Sequence, residues 1–220
     1  MPKGNGKRIE KEIYKMANKI VMILDILIQA FIYITLGDMI FVGVPHIKCH
    51  RKLKNDSFLI TRPNRYETQG GVECSGFASA YVYRHFGKQA SGVELYKEMP
   101  CKSRKGYVYC RGIVRLARKY GFQSKFYMGN LNALKNTVAK GNPVIVMVRS
   151  RIKSRNLHYI TIVGYDNEKF YAVDSAAGLR NANETHYNRV IPIAEFKKLW
   201  NISMLKQPLY FNLFFEICPK

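Results

Sequence analysis

The sequence contains no Cys-x-x-Cys pair, which argues against a zinc ribbon or a thioredoxin-type redox site. It has no Gly-x-x-x-x-Gly-Lys-Ser/Thr loop to cradle nucleotide phosphates. No RNP-type or KH pattern marks it as an RNA-binding module, and it has no internal repeats or low-complexity tracts. Acidic residues are scarce: 15 Asp and Glu face 36 Lys and Arg, a formal net charge of +21 over 220 residues. The surplus occurs both in the first 54 residues and in the remainder, so it is not one basic tail on a neutral domain. Such a charge favours anionic partners: lipid headgroups, acidic cell-wall polymers, nucleic acid or acidic peptides. The plain alternative is colloidal solubility.

Cysteine is also sparse and irregular. Cys49, Cys74, Cys101, Cys110 and Cys218 are odd in number and form no disulfide scaffold. Cys101 and Cys110 bracket a short basic segment where a local bridge is open, although two free thiols fit the rest of the chain better. What is present in quantity is apolar residues, 47% of the chain, enough for a buried core.

Four regions are expected. Residues 1–19 are basic, with a weak helical pattern in Ile9, Ile13 and Met16. Residues 20–44 form a hydrophobic helix of 25 residues without Lys or Arg, long enough to span a bilayer. Asp25, Gln29 and Asp38 oppose that reading, and the strictly uncharged run Ile26–Gly37 has 12 residues. A membrane anchor is the expectation; a long helix packed on the soluble domain is the alternative. A cleavable signal peptide is disfavoured, because no small-x-small site precedes the basic residues 48–54. Six Lys and Arg before the apolar run against four after it lean toward an inside N-terminus and an outside domain, with a cytoplasmic domain still open. Residues 45–57 read as a linker, and 58–220 as the main domain.

Within that domain, helices come first and short strands follow. Gly70 and Gly71 loosen the chain before a helix that starts near Cys74 and stops at Gly87. Further helices are expected at Gly92–Met99, Tyr107–Tyr120 and Leu131–Lys140. Ile113, Leu116, Ala117 and Tyr120 form the apolar face of the second, opposite Arg111, Arg115 and Arg118. Strands follow at Gln123–Met128, Val144–Val148, Tyr159–Val163 and Phe170–Val173, then a helix at Pro192–Trp200 and a last strand at Leu209–Ile217. This order indicates an α+β fold with an antiparallel sheet.

Cys74 sits at a helix start, where free amides and the helix dipole favour an anion. A nucleophilic cysteine needs a base within hydrogen-bond reach and a group to orient that base. His158 opens one strand and Asp174 ends the next, and an antiparallel hairpin turning at Asp166–Glu168 brings them together. Gln69 could donate its amide to an oxyanion beside the Cys74 backbone N–H. Singly, each has a bland reading as a packed thiol, a strand-end His or an ordinary Asp-Ser turn. His46 and His50 lie in the basic linker, and His85 is about 16 Å along the helix from Cys74. His186 and Asp166 are the remaining rivals.

The pieces Gln69 with Glu73-Cys74-Ser75-Gly76-Phe77-Ala78, Gly141-Asn142-Pro143-Val144-Ile145-Val146, His158 to Asp166 and Ala172-Val173-Asp174-Ser175 resemble the papain-like C39 cysteine peptidases, specifically the stand-alone C39-like group. The resemblance runs from about Phe58 onward. It implies a papain-like fold, with the nucleophile at a helix N-terminus packed on a small antiparallel sheet. It implies Cys74 as nucleophile, His158 as base, Asp174 as orienter and Gln69 as oxyanion donor, with no cofactor or metal. It also implies a peptide or protein substrate, which transporter-fused members cut after double glycine. Two departures stand out: Cys-Ser-Gly replaces the commoner Cys-Gly, and Gln69 lies five residues before Cys74, one closer than the family spacing. A transglutaminase-like acyl transferase and a non-catalytic basic module for anionic membrane or nucleic acid stay open as alternatives, although no specific nucleic acid is expected. The basic run Arg149–Arg155 just before His158 is placed to attract an acidic substrate or a membrane surface.

Overall fold

The computed structural model describes residues 5–202 and 210–220. The expected start of the last strand, Leu209, and the first four residues of the basic segment lie outside them. Contacts divide the chain into two compact units, Met1–Ile40 and Phe41–Lys220. The first is carried by a single helix, α1 (Asn5–Val42), that joins the basic and hydrophobic segments without a break. Its stretch Ile9–Ile34 is long and apolar enough to cross a membrane by length and composition, a test that a signal sequence also passes. Apolar side chains along it, such as Leu24, Leu27 and Ile28, are exposed.

The second unit runs β1 (His46–Lys48), β2 (Phe58–Leu59), α2 (Cys74–His85), α3 (Gly92–Glu98), α4 (Cys110–Lys119), β3 (Phe122–Gly129), α5 (Leu131–Val138), β4 (Val144–Arg149), β5 (Leu157–Tyr165), β6 (Lys169–Val173), β7 (Arg189–Pro192), α6 (Ile193–Trp200) and β8 (Leu213–Pro219). Among the described residues the strands form one sheet in the order β1-β3-β8-β4-β5-β6-β7, with β2 added beside β5. Every pair is antiparallel except β1 with β3. The architecture is α+β, as expected from helices preceding strands.

The continuous apolar run of β4 follows from burial on both faces. Ile145 and Met147 pack into a core with α2 and α4, whereas Val144, Val146 and Val148 join a second core with α5 and α6. Strand β8 divides the same way, Phe215 and Ile217 to the first core and Phe214 to the second. A third cluster sets Tyr81 of α2 against Ile60, Val163 and Val173.

Helix α2 is not amphipathic, because nearly every residue from Cys74 to Tyr83 is buried. Its small residues permit close approach: a Cβ on Gly76 would collide with the Gly92 carbonyl and lie 2.7 Å from Tyr96 Cβ. Gly87, at φ +81°, ends the helix where expected. Helix α4 starts three residues later than the expected Tyr107. Residues 101–109 instead form a tight turn, in which the Tyr109 amide donates to the Cys101 carbonyl (3.0 Å) and the Tyr107 amide to Ser103 Oγ (3.0 Å). Residues 45–57, read as a linker, carry β1 and bond to α5. The His50 and Lys54 amides donate to Asn130 and Asn136, and the Lys48–Glu216 pair (2.6 Å) ties β1 to β8.

Candidate active site

Cys74 is the first residue of α2 and is buried. Its Sγ lies 3.9 Å from the Val72 carbonyl. The preceding Glu73 turns its carboxylate back onto the Gly71 amide (2.7 Å), which shapes the loop entering the helix. All five cysteines are free, so Cys101 and Cys110 do not pair.

His158 and Asp174 meet: His158 Nε2 lies 2.7 Å from Asp174 Oδ1, with both side chains buried. Simple hairpin pairing does not explain this contact. Near the turn the register is Tyr165 with Phe170 and Gly164 with Tyr171, which, if continued, would set Asp174 across from Thr161. A β-bulge between Ile162 and Gly164 shifts the register to Ile162 with Ala172 and Thr161 with Val173. Continued past the bulge, that register sets Asp174 across from Ile160, on the face that His158 shares.

Asp174 is held on every side. Its Oδ1 also accepts the Ala176 amide (2.8 Å), and its Oδ2 accepts Arg189 Nη1 (2.8 Å). Asn188 clasps its backbone, taking the Asp174 amide (2.8 Å) and donating to its carbonyl (2.9 Å). Burial would raise the Asp174 carboxyl. The His158 hydrogen bond and charge, the Ala176 amide and the Arg189 charge outweigh it and hold the group below the usual carboxylate range. For His158, burial lowers the pKa, but the hydrogen bond to Asp174, the nearby Cys74 thiol and the charges of both raise it to about 10.

Gln69 is fastened to the strand end that carries Asp174. Its backbone amide donates to the Ser175 carbonyl (3.0 Å), and its Oε1 accepts Ser175 Oγ (2.6 Å). Its Nε2 donates to the Gly71 carbonyl, which occupies one of its two N–H groups. Arg180 reinforces this join, donating to the Asp174 carbonyl (3.1 Å), the Glu67 carbonyl (3.1 Å) and Thr68 Oγ1 (2.9 Å).

The rival residues have other partners. His50 Nδ1 bonds Asn136 Nδ2 (2.9 Å). His85 is buried at the far end of α2, and burial and the Arg62 charge lower its pKa. The His186 carbonyl accepts Tyr81 Oη (3.0 Å). Asp166 takes the Glu168 and Lys169 amides and Tyr171 Oη, which caps the β5–β6 turn. Sequence reasoning missed Arg189 and Asn188, whose approach depends on β7. Among the described residues, no group of three or more His, Cys, Asp or Glu side chains could hold a metal ion.

Residues 60–205 match the Peptidase C39 like family, and the chain belongs to that family. No curated protein matches it. Among solved structures, the chain is similar to the peptidase domain of Streptococcus ComA, a bi-functional ABC transporter involved in quorum sensing, at 19% identity. That match covers 72% of this chain and 100% of the other, with a TM-score of 0.56. It is similar to a C39-like peptidase from Bacillus anthracis at 14% identity, covering 76% and 99%, with a TM-score of 0.57. A double glycine motif protease from an AMS/PCAT transporter, solved in complex with the leader peptide, matches at 18% identity over 74% and 98%, with a TM-score of 0.52. These likenesses establish the papain-like C39 architecture that the sequence resemblance implied.

Proposed function

We propose that the domain from residue 58 onward is a thiol peptidase that cleaves a peptide bond through an acyl-enzyme on Cys74. The observation that carries this reading is the buried 2.7 Å contact of His158 Nε2 with Asp174 Oδ1, with the Cys74 thiol near enough to raise the imidazole pKa. Family membership supports it. His158 holds a proton on the ring nitrogen that does not face Asp174, and the Cys74 thiolate attacks the scissile carbonyl carbon. The oxyanion is received by the Cys74 backbone N–H and by the second Gln69 amide N–H. As the C–N bond breaks, His158 gives its proton to the leaving amine, leaving a thioester. Water, deprotonated by His158, then hydrolyses the thioester and restores the thiol. Asp174 stays ionised throughout and stabilises the imidazolium.

The substrate is a peptide or protein segment, and likeness to a double-glycine protease makes leader-type peptides the first class to assay. Helix α1 holds the domain at a membrane, with its basic first turns on the inner side. Extraction from membranes by detergent but not by salt or carbonate supports that placement; a fully soluble full-length chain overturns it.

An electrophilic thiol probe tests the site. Labelling is expected to vanish in Cys74→Ala and to persist in Cys101→Ala and Cys110→Ala. Equal labelling of all three variants sinks the assignment. Product analysis then separates hydrolysis from transfer of the acyl group to an added amine.

A further inference from the structure

A pocket of about 350 Å³ opens beside the thiol, with Cys74 itself in its wall. Its floor is Val42, Val108, Cys110, Met147 and Tyr159, all buried, and Val72 and Leu157 add to the apolar lining. The pocket is small for a ligand site but large enough for a bulky side chain. Glycine would leave this apolar wall facing water.

The rim is cationic. Lys105 and Arg155 line it from two exposed basic loops, one carrying Lys102 and Arg104 and the other Arg151 and Lys153. No lining residue is acidic, and Glu73, next to the thiol, is turned onto the Gly71 amide. Because the thiol forms part of the wall, whatever fills the pocket lies beside the reacting bond.

Resting on the reading of Cys74 as nucleophile, we propose that this pocket takes a bulky apolar side chain within two residues of the scissile bond, from a peptide whose flanking residues are acidic. The apolar floor selects the inserted side chain. The two basic loops select its surroundings and speed encounter with an anionic segment. A double-glycine site uses neither feature.

The test uses the full chain and a series of peptidyl electrophiles. They carry Gly-Gly, Leu or Phe at the positions next to the reactive group, each with flanking Glu or Lys. The rate of Cys74 labelling is the readout. Leu or Phe is expected to outrun Gly-Gly on the order of 10–100-fold. Glu flanks are expected to outrun Lys flanks at low salt, and the gap should close as salt screens the rim. Asn156→Trp, which narrows the mouth, should erase most of the Leu and Phe advantage. The double variant Lys105→Glu, Arg155→Glu should invert the flank preference.

Gly-Gly reagents that label Cys74 as fast as Leu or Phe reagents would overturn the proposal and leave the nucleophile reading intact. A flank preference that is absent, or unmoved by the rim reversal, would overturn the acidic half. A Cys74 that no reagent labels, in a protein whose Cys49 reacts normally, would overturn both readings together.

Discussion

Two cysteines stand in the wall of one pocket, and each is the first residue of a helix: Cys74 begins α2 and Cys110 begins α4. Their partners are adjacent on β5. Cys74 helps to raise the pKa of His158, whereas Cys110 lies 3.8 Å from Tyr159 Oη, a phenol that itself donates to the Val108 carbonyl (3.0 Å). Burial pushes the Cys110 thiol up to about 12, despite its place at a helix start. A place at a helix start therefore does not by itself lower a thiol pKa. On the proposed reading, what separates the two sites is a titratable base, His158, that carries its own buried carboxylate.

The sharpest way to break this contrast is His158→Ala. It should leave Cys74 as inert as Cys110, with the labelling rate reduced on the order of 10³-fold or more. An unchanged rate would mean that the helix start does suffice.

Asp174→Asn comes next. Turnover should fall about 10²- to 10⁴-fold. The change also strands the buried Arg189 guanidinium, so unfolding by denaturant should show a loss of about 3–5 kcal/mol. The same variant removes a main support of the His158 pKa, so the alkaline limit of activity should move down from about pH 10. The sign for stability follows from the same shift. A folded-state pKa raised above 6.5 contributes stability that is complete below pH 6.5 and fades as pH climbs through about 10. Asp174, lowered in the fold, contributes stability above its ordinary value that is lost as acid protonates it. Denaturant midpoints between pH 6 and 10 should therefore decline in the wild type and flatten in Asp174→Asn.

Smaller effects sharpen the other half of the comparison. Tyr159→Phe removes the donor to the Val108 carbonyl and should cost about 1–3 kcal/mol. Cys110 should stay unlabelled there, since burial rather than the phenol suppresses it. Cys110→Ala should lower stability by about 1 kcal/mol and leave Cys74 labelling by a small reagent within about twofold. A large fall in labelling would tie the two thiols into one unit.

Much of this was legible in the sequence where one segment decides its own state. The apolar run at Val144, the helix from Cys74 to the Gly87 stop and the β5–β6 hairpin turning at Asp166 all belong to that kind. The two-, three- and four-residue strands β2, β1 and β7 were not legible, because pairing with distant partners defines them rather than local pattern. Arg189 was hidden for the same reason: it reaches Asp174 because β7 pairs it across from Ala172. The expected meeting of His158 and Asp174 occurs, but the one-residue bulge near Val163 puts them on a common face, and nothing in Ile162-Val163-Gly164 announces it beyond the glycine. Gln69 shows the limit of spacing arguments. Its amide is spent partly on Gly71, a bond that no count of intervening residues reveals.

Among the described residues, β8 is the last strand in the chain, yet it lies inside the sheet, between β3 and β4. Without β8, the remaining strands form two separate halves with an open edge on each, and the α2–α4 core lacks Leu213, Phe215 and Ile217. Cys74, His158 and Asp174 are all translated before the strand that locks their supports together. Nascent chains arrested before Leu213 should therefore fail to take the thiol probe at Cys74, which would make β8 the step that switches the proposed nucleophile on.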